Sequence, residues 1–396
     1  MLFKVWLDPS KQSFFEKDYW ISLFRFGESL RVTNALYVDK NKSDYSQLTD
    51  IAIAGMVSQL DRHSSYYKPS QYASFKDDTH RRYVGIGVMI RKVEDGVLVT
   101  RVFTGGPAED AGLTVGEYII TVAENNVTGW DLAKVSTLIK GEENTPVQIT
   151  LRSRIGEERK IKVLRKKINI SSVEGEDVDK NGTAYLRLVQ FTSRSGKEFK
   201  EAISRLTEKG MKRLILDLRD NSGGLLSAAI EITECFLPKG QLIVSIKGRQ
   251  KDDIREYKAN SNDNFTDIPM VVLMNEGSAS ASEIVGGALS VLDRAQIVGE
   301  QSFGKGSVQT IFPLEDEAGL RLTTAMYFLP DGSTIHEEGI KPQFIVECSD
   351  ENETKLRIQR YSQEIMDQET FEKQFGFIPI IDVQLSRAEE ILIFKN

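Results

Sequence analysis

Histidine is almost missing from this chain, with three in 396 residues: His63, His80 and His336. A histidine-based hydrolase needs an imidazole between a nucleophile and a carboxylate, and none of the three stands in a glycine-bracketed turn or at metal-ligand spacing. His63 in LDRHSSYY is expected to brace the helix before it, and His336 in STIHEEG to sit in a loop. Cysteine is scarcer still, with Cys235 and Cys348 alone. Each lies in an apolar stretch (ITECFLP, FIVECSD), which predicts buried free thiols over a disulfide and fixes no redox compartment. No apolar run reaches the roughly 18–20 residues needed to span a bilayer. The opening MLFKVWLDPSKQSFFEK carries charge too early and too often for a secretory signal, so the chain reads as cytoplasmic or as trimmed of a leader. Long basic runs are missing too. With a formal charge of −7, nothing supplies the phosphate footprint that nucleic-acid binding needs.

What is present is the texture of an ordinary globular protein, 40% hydrophobic and 28% charged, and too long for one core. Residues 1–77 predict helices, with Trp20, Leu23 and Phe24, then Ile51, Ile53, Met56 and Leu60, at helical spacing on a stripe that needs a partner surface. Residues 78–166 switch to short β-branched runs (VGIGVMI, GVLVTRVF, YIITVA, VQITLR, RKIKVLR) around one amphipathic helix, WDLAKVSTLIKG, which ends on Gly141. Residues 167–349 alternate strands (KRLILDLR, MVVLM, AQIVG) with helices (LLSAAIEITECFL, ASEIVGGALSVL), the pattern of α/β layers with parallel pairing. The polar stretch GRQKDDIREYKANSNDNFTD is predicted as a long loop. Residues 350–396 regain helical character (LRIQRYSQEIM, SRAEEILIF) and are expected to pack on a neighbouring surface.

Three segments carry residues suited to chemistry. In MVVLMNEGSASASEIVGGAL an apolar strand passes through small residues into a helix opening on Ala281, so that Ser278, Ser280 or Ser282 would sit in a tight elbow. A hydroxyl there lies beside the free N–H groups of a helix's first turn, which can stabilise an oxyanion. The same pattern, with Glu283 following, is also an ordinary N-cap, and this feature alone does not decide between them. In GEQSFGKGSVQ, Lys305 stands between glycines that permit close backbone approach. Lysine acts as a general base only when neutral, which requires desolvation to lower its pKa from about 10.4. Gln309, four residues on, would share a face with it and could orient the amine. The segment nearly spells the phosphate-binding G-x-x-x-x-G-K-[ST]. Gly306 stands where Ser or Thr is needed, however, and VQTIFPL is β-branched where that motif requires a helix, so nucleotide binding is excluded. Third, LILDLRDNSGGLLSAAI empties a strand into paired glycines, Gly223 and Gly224. Bare N–H groups there suit a second oxyanion donor, although a plain helix-entry turn looks similar; Asp217, Arg219 and Asp220 would be bracing charges.

Taken in order, DLRDNSGG, NEGSASASEI and GEQSFGKGSVQ resemble the carboxy-terminal-processing proteases, peptidase family S41. The likeness runs from about Tyr37 to Pro342, through AIAGMVSQLDRHSSYY, YVGIGVMI and LTTAMYFLPDGSTIHEEGIKP. It implies an α/β, crotonase- or ClpP-like layered protease core at 167–349, an inserted β-rich PDZ domain at 78–166 and helical N- and C-terminal segments. It implies further a serine endopeptidase with Ser280 as nucleophile, Lys305 as base and Gln309 supporting the lysine. The N–H of Ala281 with that of Gly223 or Gly224 would form the oxyanion hole. Gly85, Ile86, Gly87 and Val88 would be the PDZ loop that takes a peptide's C-terminal carboxylate, the peptide adding as a strand. No metal or cofactor is called for. The partners implied are protein or peptide substrates with free C-termini, a second copy through the helical ends, and an adaptor or activator protein. The location implied is the periplasm or cell envelope. The chain departs from the family pattern at Arg62 (usually Pro), Glu117 (usually Asp) and Gln343 (usually acidic). The rival readings are a catalytically inert PDZ-containing binding or chaperone protein, and a crotonase-type acyl-transfer enzyme, for which no CoA pocket is suggested.

Overall fold

The computed structural model describes residues 17–73, 84–93, 96–103, 105–153, 156–168, 171–260, 265–362 and 368–394; His80 and Phe14 lie outside them. The chain divides into two compact units, Met1–Thr79 with Gln309–Thr324, and His80–Val308 with Ala325–Asn396.

In the first unit the predicted helices are Lys17–Leu36 and Tyr45–Ser58. The second starts where Asp44 accepts hydrogen bonds from Ser46 N and Gln47 N at 3.0 and 3.2 Å, satisfying two first-turn donors. The first helix buries none of its residues, and Trp20 and Phe24 are exposed. His63 sits in the turn that follows the second helix, which ends at Ser58. Its N–H donates to Asp61 Oδ1 at 2.7 Å, and its carbonyl accepts from Arg321 at 2.9 Å. Ser65–Tyr67 then pairs antiparallel with Gly319–Arg321.

In the second unit, the β-rich part is an antiparallel sheet in the order Val88–Val93, Gly96–Val102, Tyr118–Val122, Pro146–Arg152, Glu158–Leu164. Its inward residues, among them Val97, Val99, Ile119, Ile149, Leu151 and Val163, close over Val135 and Ile139 of the helix Leu132–Ile139. Val84–Gly85 pairs with Lys166–Lys167, bringing the two ends of this part together. Glu117 uses its extra methylene to reach the far edge: its carboxylate accepts from Arg159 Nε at 2.9 Å and Nη2 at 2.8 Å, and from Thr114 N at 2.8 Å.

The remaining part is built on a six-stranded sheet ordered Val173–Val178, Thr183–Leu188, Arg213–Asp217, Met270–Met274, Gln296–Gly299, Phe344–Ile345, antiparallel in the first pair and parallel thereafter. Both faces are covered, which is why the central strands read as unbroken apolar runs. Leu214, Leu216, Val272 and Ile297 face a core shared with the helices Ser195–Glu208, Leu226–Thr233 and Ala281–Val291. Their sequence neighbours Ile215, Val271, Leu273 and Val298 face the other way, onto Ala388, Ile391 and Leu392 of the helix Val383–Phe394. The C-terminal segment therefore packs on this chain's own sheet, with a further helix, Gln368–Phe375, that hydropathy did not suggest. Cys235 is a buried free thiol as expected, whereas Cys348 is half-exposed.

The predicted long loop is corrected. Ile254–Lys258 forms a hairpin with Leu242–Gly248, with Val244 opposite Tyr257 and Ile246 opposite Arg255. Its side chains are mostly exposed, and a solvated strand of charged residues is indistinguishable from a loop by composition.

Burial would raise the Glu117 carboxyl, but the hydrogen bonds from Arg159 and Thr114 hold it below the ordinary carboxylate range. A lowered folded-state pKa stabilises the fold above the unfolded-state value and ceases to do so as pH falls through the folded one. Glu117→Gln should therefore lower the denaturation midpoint at pH 7, with the gap to the parent closing as pH drops below about 4, the ordinary carboxylate range; unfolding curves at several pH values read this.

Candidate active site

The three chemical segments leave the C-terminal ends of three neighbouring parallel strands, Arg213–Asp217, Met270–Met274 and Gln296–Gly299. In open parallel sheets this edge collects functional loops, because successive strands deliver their connections there side by side.

The elbow sorts the three serines. Ser278 is fully buried and donates to the Leu218 carbonyl at 2.8 Å; Ser282 is fully buried and donates to the Asn221 carbonyl at 2.7 Å. Both hydroxyls are spent on structure. Ser280 is half-buried at the N-cap of the helix Ala281–Val291, with φ 54° and ψ −110°. Positive φ costs a non-glycine residue about 1–3 kcal/mol and persists only where the surroundings enforce it. The enforcement is local: Ala279 N donates to Asn221 O at 3.0 Å, and Ser280 N to Glu283 Oε2 at 2.7 Å.

Glu283 does more than cap its helix. It is fully buried, and each of its oxygens takes two donors. Oε2 accepts from Ser280 N and from Lys305 N at 2.9 Å; Oε1 accepts from Gly304 N at 2.7 Å and Ser302 Oγ at 2.6 Å. One carboxylate oxygen thus holds the backbones of the serine and the lysine. The glycines around Lys305 are required by packing. A Cβ on Gly304, at φ 86°, would meet Gly339 N at 3.1 Å, and one on Gly306 would fall 2.4 Å from His336 N. His336 is the expected loop residue and supplies the wall. Lys305 is half-buried, and among the described residues no carboxylate lies within ion-pair distance of its amine.

Lys305 lies in coil, before the strand Ser307–Pro313 begins, so its four-residue spacing to Gln309 is not realised within one element. Gln309 belongs to the first unit, where its amide donates to Thr323 Oγ1 at 3.4 Å.

Of the glycine pair, Gly223 packs onto the elbow and Gly224 onto Phe191. A Cβ on Gly223 would lie 2.6 Å from Ala279 O and 2.9 Å from Ala281 N, and one on Gly224, at φ 146°, would lie 2.1 Å from Phe191 O. Gly223 N donates to Asn221 Oδ1 at 2.9 Å, whereas Gly224 N and Ala281 N have no acceptor among the described residues. Asn221, fully buried, also donates to Leu188 O at 2.6 Å. Upstream, the expected bracing charges are in place. Asp217 and Arg219 form a fully buried pair with Arg219 Nη2 2.7 Å from Asp217 Oδ2, and Tyr185 OH donates to the same oxygen at 2.7 Å. Burial alone would raise the Asp217 carboxyl; Arg219 more than offsets this and holds it well below the usual range. Asp220, at φ 60°, donates its N–H to Asn275 Oδ1 at 2.9 Å.

Sequence reasoning missed Glu283 as the bridge, along with Asn221 and Asn275. The Ser-x-x-Glu spacing is visible in the sequence and fits a cap as well as an elbow; the donors that reach Glu283 from residues 302–305 are not readable there. Of the other two departures from the family pattern, Arg62 Nε donates to His63 Nε2 at 3.2 Å. Gln343 accepts from Ile297 N at 2.7 Å and donates to Ser290 Oγ at 2.6 Å.

Away from this edge, Gly85, Ile86, Gly87 and Val88 come together with Ser136, Ile139 and Lys140 around a cavity of about 110 Å³.

Among known families, that described as peptidase family S41 matches residues 182–346, and a PDZ domain matches residues 98–153. A carboxy-terminal-processing protease of Bartonella bacilliformis is 38% identical over 338 residues, covering 84% of this chain and 76% of that one. A probable CtpA-like serine protease of Staphylococcus aureus is 36% identical over 322 residues, 80% of this chain, which spans 63% of that relative's length. Among solved structures, a photosystem II D1 C-terminal processing protease matches at TM-score 0.50 and 30% identity, over 81% of this chain and 92% of that one. A putative S41 protease from Bacteroides fragilis matches at TM-score 0.56 over 93% of this chain and 97% of that one, at 16% identity, a likeness of fold alone.

Glu283→Gln would place an amide N–H₂ against backbone donors in a site closed to water. We expect kcat to fall by about 100-fold, as for misplaced catalytic groups, with a lowered melting temperature; steady-state kinetics beside thermal unfolding check it.

Proposed function

Because this chain belongs to the carboxy-terminal-processing proteases of peptidase family S41, serine peptidases that here carry a PDZ domain, we propose that Ser280 and Lys305 are its catalytic dyad. The observation that carries this reading is the single Glu283 oxygen accepting from both Ser280 N and Lys305 N, which ties the elbow to the lysine turn.

The Lys305 amine, as general base, takes the proton of Ser280 Oγ as that oxygen attacks the peptide carbonyl. Negative charge develops on the carbonyl oxygen and is met by the Ala281 N–H at the first turn of the helix and by a glycine N–H. Gly223 has given its N–H to Asn221, so Gly224 is the second donor. The C–N bond breaks as the lysine returns its proton to the leaving amine. Water, deprotonated by the same lysine, then attacks the acyl-serine ester, and Ser280 leaves with a proton. Gln309 keeps its supporting role by the family's pattern alone.

The cavity at Gly85–Val88 suits a substrate's C-terminal residue. Backbone N–H groups of the loop would face the carboxylate, and the strand Val88–Val93 would receive the peptide backbone. A link between this groove and catalysis is supported by ion pairs. Arg101, on the strand beside Val88–Val93, pairs with Glu174 of the protease sheet, Glu174 pairs with Arg187 at 3.3 Å, and Arg187 Nη2 is 4.0 Å from Asp220 in the catalytic turn.

Incubating parent, Ser280→Ala and Lys305→Ala with a disordered protein and weighing the fragments tests the dyad. Each variant should lose at least about a thousand-fold in rate while keeping its circular dichroism; near-parental cleavage by either removes that residue from the mechanism. Filling the groove with Ser136→Trp should remove the preference for a peptide with a free C-terminal carboxylate over the same peptide amidated. Equal rates on both peptides in the parent would rule out carboxylate recognition.

A further inference from the structure

The turn that contributes the oxyanion glycine is held from the far end of the chain. Arg219 is fully buried, and a guanidinium presents five N–H donors with no acceptor, so out of water each needs a partner. Asp217 takes Nε at 3.0 Å and one Nη2 proton at 2.7 Å. The C-terminal segment takes the rest. Asp382 Oδ1 accepts from Nη1 at 2.9 Å, Asp382 Oδ2 lies 2.9 Å from Nη2, and Gln384 Oε1 accepts from Nη1 at 3.0 Å. Both partners are fixed in turn. Gln384, itself fully buried, donates to Val346 O at 2.8 Å, and Asp382 Oδ1 accepts from Leu385 N at 3.1 Å at the start of the last helix. The next residue of the turn, Asp220, is gripped by the helix Asp350–Ser362, through Arg357 Nη2 at 2.7 Å and Arg360 Nη1 at 3.2 Å.

The segment has a second, apolar attachment. Ala388, Ile391 and Leu392 dock the last helix on the sheet through apolar burial, while its polar residues at 382 and 384 converge on one side chain of the catalytic turn. The turn passes any displacement onward, since the Asn221 carbonyl holds both Ala279 N and Ser282 Oγ of the elbow.

We propose that Arg360, Asp382 and Gln384 are positioning residues for peptide-bond hydrolysis: gripping Arg219 and Asp220 from the C-terminal segment, they set the 219–224 turn so that its glycine N–H meets the oxyanion. The proposal rests on the Ser280–Lys305 reading. Catalytic competence then depends on a docked C-terminus, through residues that act on the turn and not on the reacting atoms.

The test uses the full chain with Asp382→Asn, which keeps volume and removes the charge. We expect kcat to fall about 10- to 100-fold with KM within about two-fold, the signature of a contact felt only in the transition state. A peptide boronic acid, whose serine adduct is tetrahedral, should lose affinity by a similar factor, while an uncleaved peptide on the Ser280→Ala background should bind Asp382→Asn and parent alike. Asp382→Glu should recover part of the loss. Parental kcat in the folded variant overturns the proposal, and so does a loss of kcat with boronate affinity unchanged, since that marks a merely structural role. If Asp382→Asn fails to fold, Arg360→Lys is measured against the same two outcomes. Parental cleavage by Ser280→Ala alone would instead bring down the dyad reading.

Discussion

The Glu283 carboxylate is the constraint on which the site depends. An isolated buried anion is expensive, and this one is tolerable because four donors converge on it, three of them backbone amides. Backbone amides cannot be rearranged without moving the chain. Their positions therefore fix the serine elbow and the lysine turn relative to each other to within hydrogen-bond tolerance. The strained φ of Ser280 follows from the same arrangement, because the residue is held at its own N–H by Glu283 and through Ala279 N by Asn221.

Around that centre the parallel sheet acts as a positioning device. Three adjacent strands deliver the DLRDNSGG turn, the elbow and the lysine turn to one edge, and buried polar side chains stitch the first two: Ser278 to Leu218 O, Asn275 to Asp220 N, Ser282 to Asn221 O. Apolar burial on both faces of the sheet supplies stability, and the polar stitching supplies geometry. The Arg219–Asp217 pair belongs to the second category, since a buried ion pair adds little net stability but strongly restricts where its partners can sit.

Much of this was legible from sequence for definite reasons. Unbroken apolar runs such as MVVLM announced strands covered on both faces, and glycine bracketing at Lys305 announced close backbone approach, which His336 supplies. Ile254–Lys258 is not legible as a strand because an exposed strand of charged residues has no periodicity to betray it. The four-residue spacing of Lys305 and Gln309 implies a shared face only within one element, and the strand starts only at Ser307.

The amino-acid sequence by itself determined the order and type of the chemical segments, the candidate serine and lysine, and the family, because these are carried by local spacing and by residue types that few other roles require. Spacing and residue type treat Ser278, Ser280 and Ser282 alike, and Gly223 and Gly224 alike. Tertiary structure separates them physically, because it commits the hydroxyls of Ser278 and Ser282 and the N–H of Gly223 to partners contributed by other parts of the fold or by the turn itself. The same holds for Asp382 and Gln384. They lie 163 and 165 positions from Arg219, and nothing in the chain's local pattern could have announced that a buried guanidinium would need them.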